Sequence, residues 1–148
     1  FKPIAYALIL LRSEGYPSVF YPDLFGANYT DKGTDGNDYE IHLPPCDRIE
    51  KLLLARKLFA IGIQHDYFDH GNCIGWTREG DSKRTQTGCA VLLSNGDSGF
   101  KKMYVGKQHA GKGFKDFLGK IQDEVIIDQE GHGEFSCPTG QVSVWALR

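Results

Sequence analysis

The chain has 148 residues, with 17 basic and 19 acidic side chains and a net charge of −2. This length fits one medium domain or two small ones, and excludes a complete (β/α)8 barrel of roughly 250 residues. The nearly balanced charge gives no support for a nucleic-acid groove or for binding to an anionic membrane surface. Aromatic residues make up 12% of the chain and 18 residues are glycine, which is typical of a turn-rich β protein.

The longest apolar run covers residues 4–11 and is far shorter than the roughly 20 residues that span a bilayer. Arg12, Ser13 and Glu14 follow it, where a signal peptide would carry the small residues of a cleavage site. The chain begins with Phe1 rather than Met, so we expect that an upstream part is removed or missing.

A helix followed by a buried strand is predicted at the start of the chain. Ile4, Leu8 and Leu11 form an apolar stripe that predicts a helix over residues 2–14. Residues 17–21, with the sequence PSVFY, are short, apolar and aromatic, which favours a buried strand. This order of elements is that of an α/β unit.

A long irregular segment and a second helix come next. Residues 22–45 are rich in Gly, Asp and Asn, and loops of this length are usually functional or disordered. Asp47, with Glu50 three residues later as in a capping box, predicts the start of a helix over residues 47–61. Gly62 ends that helix.

The pattern changes near residue 64, where short apolar runs begin to alternate with Gly-rich turns. Such spacing indicates a β-sandwich or a small barrel. We therefore predict two units, residues 1–63 and residues 64–148. The predicted strands of the second unit are 73–79, 88–94, 101–106, 114–118, 124–128, 133–137 and 142–147.

Several strings of residues carry a family resemblance. QHDYFDH and GWTREGD are long and unusual, and they lie between FKPIAYALILLRSEGYPSVFY near the start and KMYVGKQHAG, EGHGEF and VSVWAL further on. In this order they resemble the C-terminal third of glycoside hydrolase family 13 α-amylases of the bacterial liquefying type and their fungal relatives. The resemblance covers residues 1–147.

The resemblance implies an α/β fragment, the end of a (β/α)8 barrel, followed by an all-β Greek-key sandwich called domain C. Residues 2–14 would be the helix after barrel strand seven, and residues 17–21 would be strand eight. Residues 47–61 would form the closing helix, and residues 64–148 would form domain C.

The resemblance also implies where the chemistry lies. The family cleaves α-1,4-glucosidic bonds of starch-like glucans with retention, using a nucleophilic carboxylate and a general acid about 5 Å apart. Those residues, a third Asp and the main structural calcium ligands belong upstream of Phe1. We therefore expect this chain to hold no catalytic residue and no cofactor and to be inactive alone, while calcium is expected in the parent enzyme.

The chain itself offers weak candidates for contact with sugar. Acidic residues of the loop suggest a sugar or cation site at the barrel mouth, but a solvated loop whose Asp side chains make turns is the favoured interpretation. Tyr21, Asp23 and Trp145 are the candidate substrate-binding residues. Trp76, Tyr104 and Tyr67 could also stack on sugar, although such residues more often fill a sandwich core. The acids of the loop are Asp23, Asp31, Asp35, Asp38 and Glu40.

The densest cluster of acids and histidines is His65, Asp66, Asp69 and His70. A metal site or a proton relay is possible there. No two of its histidines share a helical face, so we favour a structural hydrogen-bonding role. The lysines at 101, 102, 107, 112 and 115 are predicted to form a solvated basic edge.

Some bacterial members of the resembled family hold an extra calcium between barrel and domain C. The matching positions here are Gly71, Asn72 and Asn95, so two carboxylates are replaced by amides and one His is lost. A hard cation prefers charged oxygen ligands. We therefore expect this degenerate site to be empty or weak, with no metal bound by the chain.

The cysteines and a glycosylation sequon give information about the cellular compartment of the protein. Cys46, Cys73, Cys89 and Cys137 allow three disulfide pairings, and the sequence does not choose among them. Asn28 begins a glycosylation sequon, Asn-Tyr-Thr. We predict a secreted, disulfide-bonded glycoprotein.

Three functions are compatible with these patterns. The first is the C-terminal piece of an α-amylase, whose apolar helix at residues 2–14 is covered by the missing barrel or by another copy of the chain. The second is a stand-alone, lectin-like sandwich that binds carbohydrate. The third is a purely structural cap on the barrel. The expected ligand is an α-glucan or other carbohydrate, and neither nucleic acid nor membrane is expected as a partner.

Overall fold

The computed structural model describes residues 1–147, which form three α-helices, ten β-strands and one short 3-10 turn at Lys107–His109. The α-helices are α1 (Lys2–Leu11), α2 (Tyr21–Phe25) and α3 (Ile49–Leu58). The strands are β1 (Ala27–Lys32), β2 (Asp38–Leu43), β3 (Gln64–Tyr67), β4 (Cys73–Arg78), β5 (Cys89–Ser94), β6 (Gly99–Tyr104), β7 (Gly113–Asp116), β8 (Glu124–Ile126), β9 (His132–Cys137) and β10 (Val142–Leu147).

Both predicted long helices are present but shorter than predicted. Helix α1 ends where Arg12 adopts an extended backbone, with φ −78° and ψ 164°. Helix α3 begins after Arg48, which lies in the left-handed region at φ 70°. The predicted capping box at Asp47 and Glu50 is wrong, because the side chain of Asp47 binds the Nε of Arg48 at 3.0 Å instead of an amide of the helix.

The predicted strand at residues 17–21 is also wrong. Residues 16–20 are irregular and pair with no strand within residues 1–147, and Tyr21 already begins α2. An apolar run becomes a strand only where another strand offers hydrogen bonds, and none lies beside it here. The arrangement of residues 1–63 as the end of a barrel therefore stays a prediction.

The segment predicted to be irregular contains regular structure. It holds α2 and an antiparallel hairpin of β1 and β2, with Ala27 opposite Leu43 and Lys32 opposite Asp38. Most residues of this hairpin are exposed, and only Ala27, Ile41 and Leu43 are half-buried. Strand β2, with the sequence DYEIHL, alternates polar and apolar residues, so this pattern could have predicted the strand.

The second half is the predicted all-β sandwich. One sheet has six antiparallel strands in the order β3-β4-β5-β10-β7-β8, and β6 pairs with β9 in a separate sheet. All seven predicted strands are present, with boundaries that differ by at most two residues. Strand β3 was not among them because its sequence, QHDY, is mostly polar.

Two apolar cores lie on opposite faces of the six-stranded sheet. The first joins α1 and α3 to the sheet through residues that include Leu11, Leu52 and Trp76. The second lies between the two sheets and includes Met103 and Phe135. Because the helices and the sandwich share the first core, the helices are fixed against the sheet. No helix within residues 1–147 is long and apolar enough to cross a membrane.

Candidate functional site

A cavity of about 600 Å³ opens on the side of α1 that faces away from the sandwich. Its walls come from α1, from the irregular segment that follows and from the start of α2. It is mostly apolar, with one acidic and one basic group at its edge. The lining residues are Phe1, Lys2, Ala5, Tyr6, Ile9, Ser18, Val19, Phe20 and Asp23.

This outer surface is apolar because α1 is apolar on nearly all sides. Its inner face buries Ala7, Leu10 and Leu11 in the first core. On the outer face Ile9 remains 43% exposed, and Phe20 beside it is 59% exposed. A helix that is apolar all round normally lies inside a larger structure. The outer face of α1 is therefore an exposed apolar surface.

Asp23 closes the polar end of the cavity. Its carboxylate accepts a hydrogen bond from the hydroxyl of Tyr6 at 2.7 Å and another from the ammonium of Lys2. The hydrogen bond from Lys2, followed by that from Tyr6, lowers the pKa of Asp23. A lowered pKa makes Asp23 a poor proton donor for glycoside cleavage. Its two hydrogen bonds join α2, which contains Asp23, to α1.

The other two candidate substrate residues lie in different places. Tyr21 is exposed and its ring packs on Phe25, with 4.8 Å between centroids. Trp145 is 1% exposed and donates from Nε1 to the carbonyl oxygen of Ser136 at 3.0 Å. The interpretation of Trp145 as a sugar-stacking residue is thus corrected, because its ring fills the second core. Trp76 is likewise buried, in the first core.

The acids of the predicted loop lie on the β1–β2 hairpin and its turn. Asp35 accepts hydrogen bonds from the hydroxyl of Tyr39 at 2.8 Å and from the main-chain N–H of Asn37 at 3.1 Å. Asp38 pairs with the ammonium of Lys32 at 2.9 Å. These contacts shape the turn. Asp31 and Glu40 lie on the same hairpin and are exposed.

The cluster of acids and histidines does not form one site. Each of its four side chains contacts a different partner. His65 pairs with Glu79 at 2.5 Å, and Asp66 with Arg12 at 2.8 Å. Asp69 binds Lys101, and Nδ1 of His70 accepts the main-chain N–H of Asn72 at 3.2 Å. Within residues 1–147 no three His, Cys, Asp or Glu side chains come close enough to hold a metal ion.

The positions of the degenerate calcium site lie close together. The carbonyl oxygen of Asn72 accepts the N–H of Asn95 at 3.1 Å, and Asn72 lines a cavity with Asp69, Asp97 and Lys101. The matched positions themselves supply two neutral amides and a glycine, which are poorer calcium ligands than carboxylates. An empty or weak calcium site therefore stays a prediction.

Two residues have roles that the sequence patterns did not indicate. Arg12 joins α1 to β3 through Asp66, and Lys101 points into the protein although it lies on a sheet edge. The predicted solvated basic edge is therefore wrong for Lys101. The alternation of side chains along a strand could have predicted this orientation, because Lys101 lies on the same face as Met103, which is buried.

The four cysteines are free thiols, so no disulfide links residues within the described part of the chain. Burial raises the pKa of Cys89 to about 12 and that of Cys137 to about 11, which makes both thiols unreactive.

Asn28 of the sequon lies exposed on β1, with its side-chain oxygen against the ring of His42.

Comparison with known proteins identifies the family. Residues 89–146 match the alpha-amylase C-terminal family. The chain is 49% identical over 147 residues to the cytoplasmic alpha-amylase of Escherichia coli (strain K12), covering 99% of this chain and 29% of that protein. It is 47% identical over 149 residues to the alpha-amylase of Bacillus licheniformis, covering 100% of this chain and 28% of that protein.

This chain belongs to the alpha-amylase family. It spans less than a third of the length of these relatives. A solved structure, a gamma-CGTase from alkalophilic Bacillus clarkii, superposes with a TM-score of 0.60 at 17% identity, covering 99% of this chain and 23% of that one. That likeness shows the fold alone. The family resemblance predicted from the sequence is confirmed, and residues 89–146 of the β-sandwich match the alpha-amylase C-terminal family.

Proposed function

We propose that this chain is the C-terminal portion of an alpha-amylase and that the outer face of α1 packs against the N-terminal portion of the same enzyme. The whole enzyme would cleave internal α-1,4-glucosidic bonds of starch-like glucans with retention. The acid and the nucleophile would lie in the N-terminal portion, and this chain alone would be inactive. Residues 1–63 would then be the last part of a (β/α)8 barrel, with domain C beginning near residue 64.

The observation that carries this proposal is the uncovered apolar cavity on α1. Phe1, Ile9 and Phe20 surround it, and Phe1 is 89% exposed. Exposed apolar patches of this kind mark interaction surfaces. The chain covers less than a third of each relative, so the remaining portion of the enzyme is the proposed occupant.

The chemistry within the chain supports the same division. Asp23, the acid that borders the cavity, is ionised and engaged by Lys2 and Tyr6. Retaining cleavage needs a second carboxyl group that is protonated, and within residues 1–147 no other acidic side chain lines this cavity. We therefore assign the carboxyl pair to the N-terminal portion.

Reconstitution tests the proposal. The N-terminal portion and residues 1–148 are produced as separate chains and mixed, and hydrolysis of soluble starch is measured. We expect activity from the mixture only. Ile9→Asp should reduce it at least about tenfold, because a carboxylate would be buried against apolar surface.

Ile126→Asp is the matched control, because Ile126 is 61% exposed on β8 and should leave reconstitution unchanged. Equal activity of the Ile9→Asp and unsubstituted mixtures would contradict the proposed interface. Hydrolysis by residues 1–148 alone would contradict the assignment of the carboxyl pair.

Location and modification stay predictions. Secretion and glycosylation at Asn28 are predicted from the sequence, yet one relative is named a cytoplasmic alpha-amylase and all four cysteines are free thiols. Calcium in the parent enzyme likewise rests on the family resemblance.

A further inference from the structure

We propose that the β1–β2 hairpin is a second contact surface for the N-terminal portion of the enzyme, with its apolar face packed against that portion and its polar face in solvent. The choice of this occupant rests on the proposed function, whereas the division of the hairpin into two faces rests on the strand register. The surface is separate from the α1 cavity, because none of residues 27–43 lines that cavity.

The register sorts the side chains of the hairpin by polarity. The pairing runs without interruption from Ala27 opposite Leu43 to Lys32 opposite Asp38. Opposite residues share a face, and so do alternate residues along each strand. One face therefore carries Ala27, Tyr29, Asp31, Tyr39, Ile41 and Leu43. The other face carries Asn28, Thr30, Lys32, Asp38, Glu40 and His42.

The polar face is suited to solvent. The ammonium of Lys32 pairs with Asp38 at 2.9 Å, and the side-chain oxygen of Asn28 lies against the ring of His42. All six residues of this face are exposed. Its polar groups pair across the two strands or with water, so this face needs no protein partner.

The apolar face lacks a cover within residues 1–147. Tyr29 and Tyr39 are 48% and 49% exposed, and neither apolar core includes a residue of the hairpin. The hydroxyl of Tyr39 donates to Asp35 at 2.8 Å, which holds its ring in place. A two-stranded hairpin that packs on nothing is at best marginally stable in water. We therefore infer that a part of the enzyme outside these residues covers the apolar face.

The base of the hairpin indicates which part that is. The main-chain N–H of Cys46 donates to the carbonyl of Asp23 at 2.7 Å, so the two ends of the hairpin segment meet at α2. Asp23 also lines the α1 cavity, which is the proposed interface with the N-terminal portion. The hairpin thus starts beside that interface, and one partner can cover both surfaces.

Two other occupants fit less well. An α-glucan needs hydrogen-bonding partners for its hydroxyls, and the aliphatic side chains of Ile41 and Leu43 offer none. A second copy of the chain would leave the N-terminal portion without a role at the hairpin. This chain spans less than a third of its relatives, so the N-terminal portion is large enough to cover both the hairpin and α1.

Thiol labelling of the full-length enzyme tests the inference one face at a time. Tyr29→Cys and His42→Cys each place a thiol on an exposed position of the hairpin, on the apolar and the polar face respectively. Labelling by a maleimide is followed by mass spectrometry, with the unsubstituted enzyme as the background for its own cysteines. We expect Tyr29→Cys to react at least about tenfold more slowly than His42→Cys, because a covered thiol is inert.

A second measurement needs no substitution and therefore does not depend on the folding of a variant. Hydroxyl-radical oxidation of the unsubstituted enzyme should modify Tyr29 less than His42, after correction for the intrinsic reactivity of each side chain. Equal labelling of the two variants together with equal corrected oxidation would overturn the hairpin surface.

The remaining outcomes identify the occupant and separate this inference from the proposed function. Protection of Tyr29→Cys that is lost on dilution would assign the face to a second copy, and protection that needs an added maltooligosaccharide would assign it to sugar. Either result overturns the N-terminal portion as occupant. Starch hydrolysis by the unsubstituted enzyme is measured on the same sample. Its absence overturns the proposed function, whereas hydrolysis with equal labelling overturns the hairpin surface alone.

Discussion

The indole Nε1 of Trp76 donates a hydrogen bond to the main-chain carbonyl of Leu11, at 3.3 Å. Trp76 belongs to β4 of the sandwich, and Leu11 is the last residue of α1. The bond satisfies one of the carbonyl groups that every helix leaves free at its C-terminus. The β-sandwich therefore fixes the helix whose other face forms the proposed interface with the N-terminal portion.

Removing this bond should destabilise the protein without a change in its fold. Trp76→Phe keeps an aromatic ring but leaves the Leu11 carbonyl buried without its partner, which costs about 1–3 kcal/mol. Thermal unfolding of the full-length enzyme should show a lower Tm. Tyr16→Phe is the control, since Tyr16 is almost fully exposed. An unchanged Tm for Trp76→Phe would show that the bond contributes nothing.

Arg12 supplies a second link between α1 and the sandwich. Its guanidinium binds both carboxylate oxygens of Asp66, at 2.8 and 3.1 Å, and lies 5.1 Å from the ring centre of Phe68. Because the arginine is mostly covered, a double-mutant cycle on Arg12 and Asp66 should give a coupling free energy near the upper end of surface pairs, about 1 kcal/mol. The cycle uses alanine variants and denaturant unfolding.

An exposed ion pair on the β1–β2 hairpin serves as the comparison for the Arg12–Asp66 pair. Lys32 and Asp38 form an ion pair at 2.9 Å with both side chains well exposed, so their coupling should be about 0.3 kcal/mol or less. If both pairs give equal coupling free energies, then the burial and bidentate geometry of the Arg12–Asp66 pair add nothing to its stability.

Gly62 joins α3 to the sandwich through a close contact of main chains. It lies at φ +88°, and a Cβ there would stand 2.2 Å from the carbonyl oxygen of Gly80. The guanidinium of Arg78 also donates to the carbonyl of Gly62, at 3.0 and 3.1 Å. Gly62→Ala should therefore cost well over the ~1 kcal/mol of an unfavourable φ alone, measured as the free energy of unfolding.

Gly15 isolates the contribution of the backbone angle. It has nearly the same φ, +85°, but no atom lies within 4 Å of where its Cβ would be. Gly15→Ala should cost only about 1 kcal/mol. Similar losses for the two variants would mean that the contact with Gly80 is relieved by a small shift of the chain.

His109 should make stability depend on pH. It is almost fully buried, its Nε2 contacts the carbonyl of Glu79 at 2.8 Å, and its Nδ1 has no partner within residues 1–147. Burial is the main cause that lowers the pKa of His109. The unfolded chain therefore takes up this proton at a higher pH than the folded chain does.

The contribution of His109 is consequently complete above the ordinary histidine pKa of about 6.5 and is lost as the pH falls from there through its lower folded value. Unfolding free energies of the unsubstituted protein and of His109→Gln, measured between pH 7.5 and about 4.5, should diverge in slope below pH 6.5. Parallel curves would contradict a buried neutral imidazole.

Much of the sandwich could be predicted because its strands carry a strong local signal. Strand β10 alternates and β5 is continuously apolar, and both lie where predicted. Strand β5 is buried along its whole length because α1 and α3 cover one face of its sheet and the second sheet covers the other. The continuous burial of β5 thus results from its position in the interior of the six-stranded sheet, between the two apolar cores.

The errors arose where structure depends on a partner distant in sequence. The run at residues 17–21 has the composition of a strand but no neighbouring strand within residues 1–147. The face of Trp145 could not be predicted because both faces of its sheet are buried, so Ser143 and Trp145 lie inside as well as Val144. The exposure of Phe100 follows only once β6 is known to begin at Gly99.

Hydrolysis of starch by the isolated chain tests the central claim most directly. A sample whose intact mass is 16.5 kDa is incubated with soluble starch, and the release of reducing ends is followed beside the full-length enzyme. We expect no release above background from the chain and rapid release from the full-length enzyme. Release by the chain at a rate comparable to that of the enzyme would place the reacting carboxyl groups within these 148 residues and contradict the account.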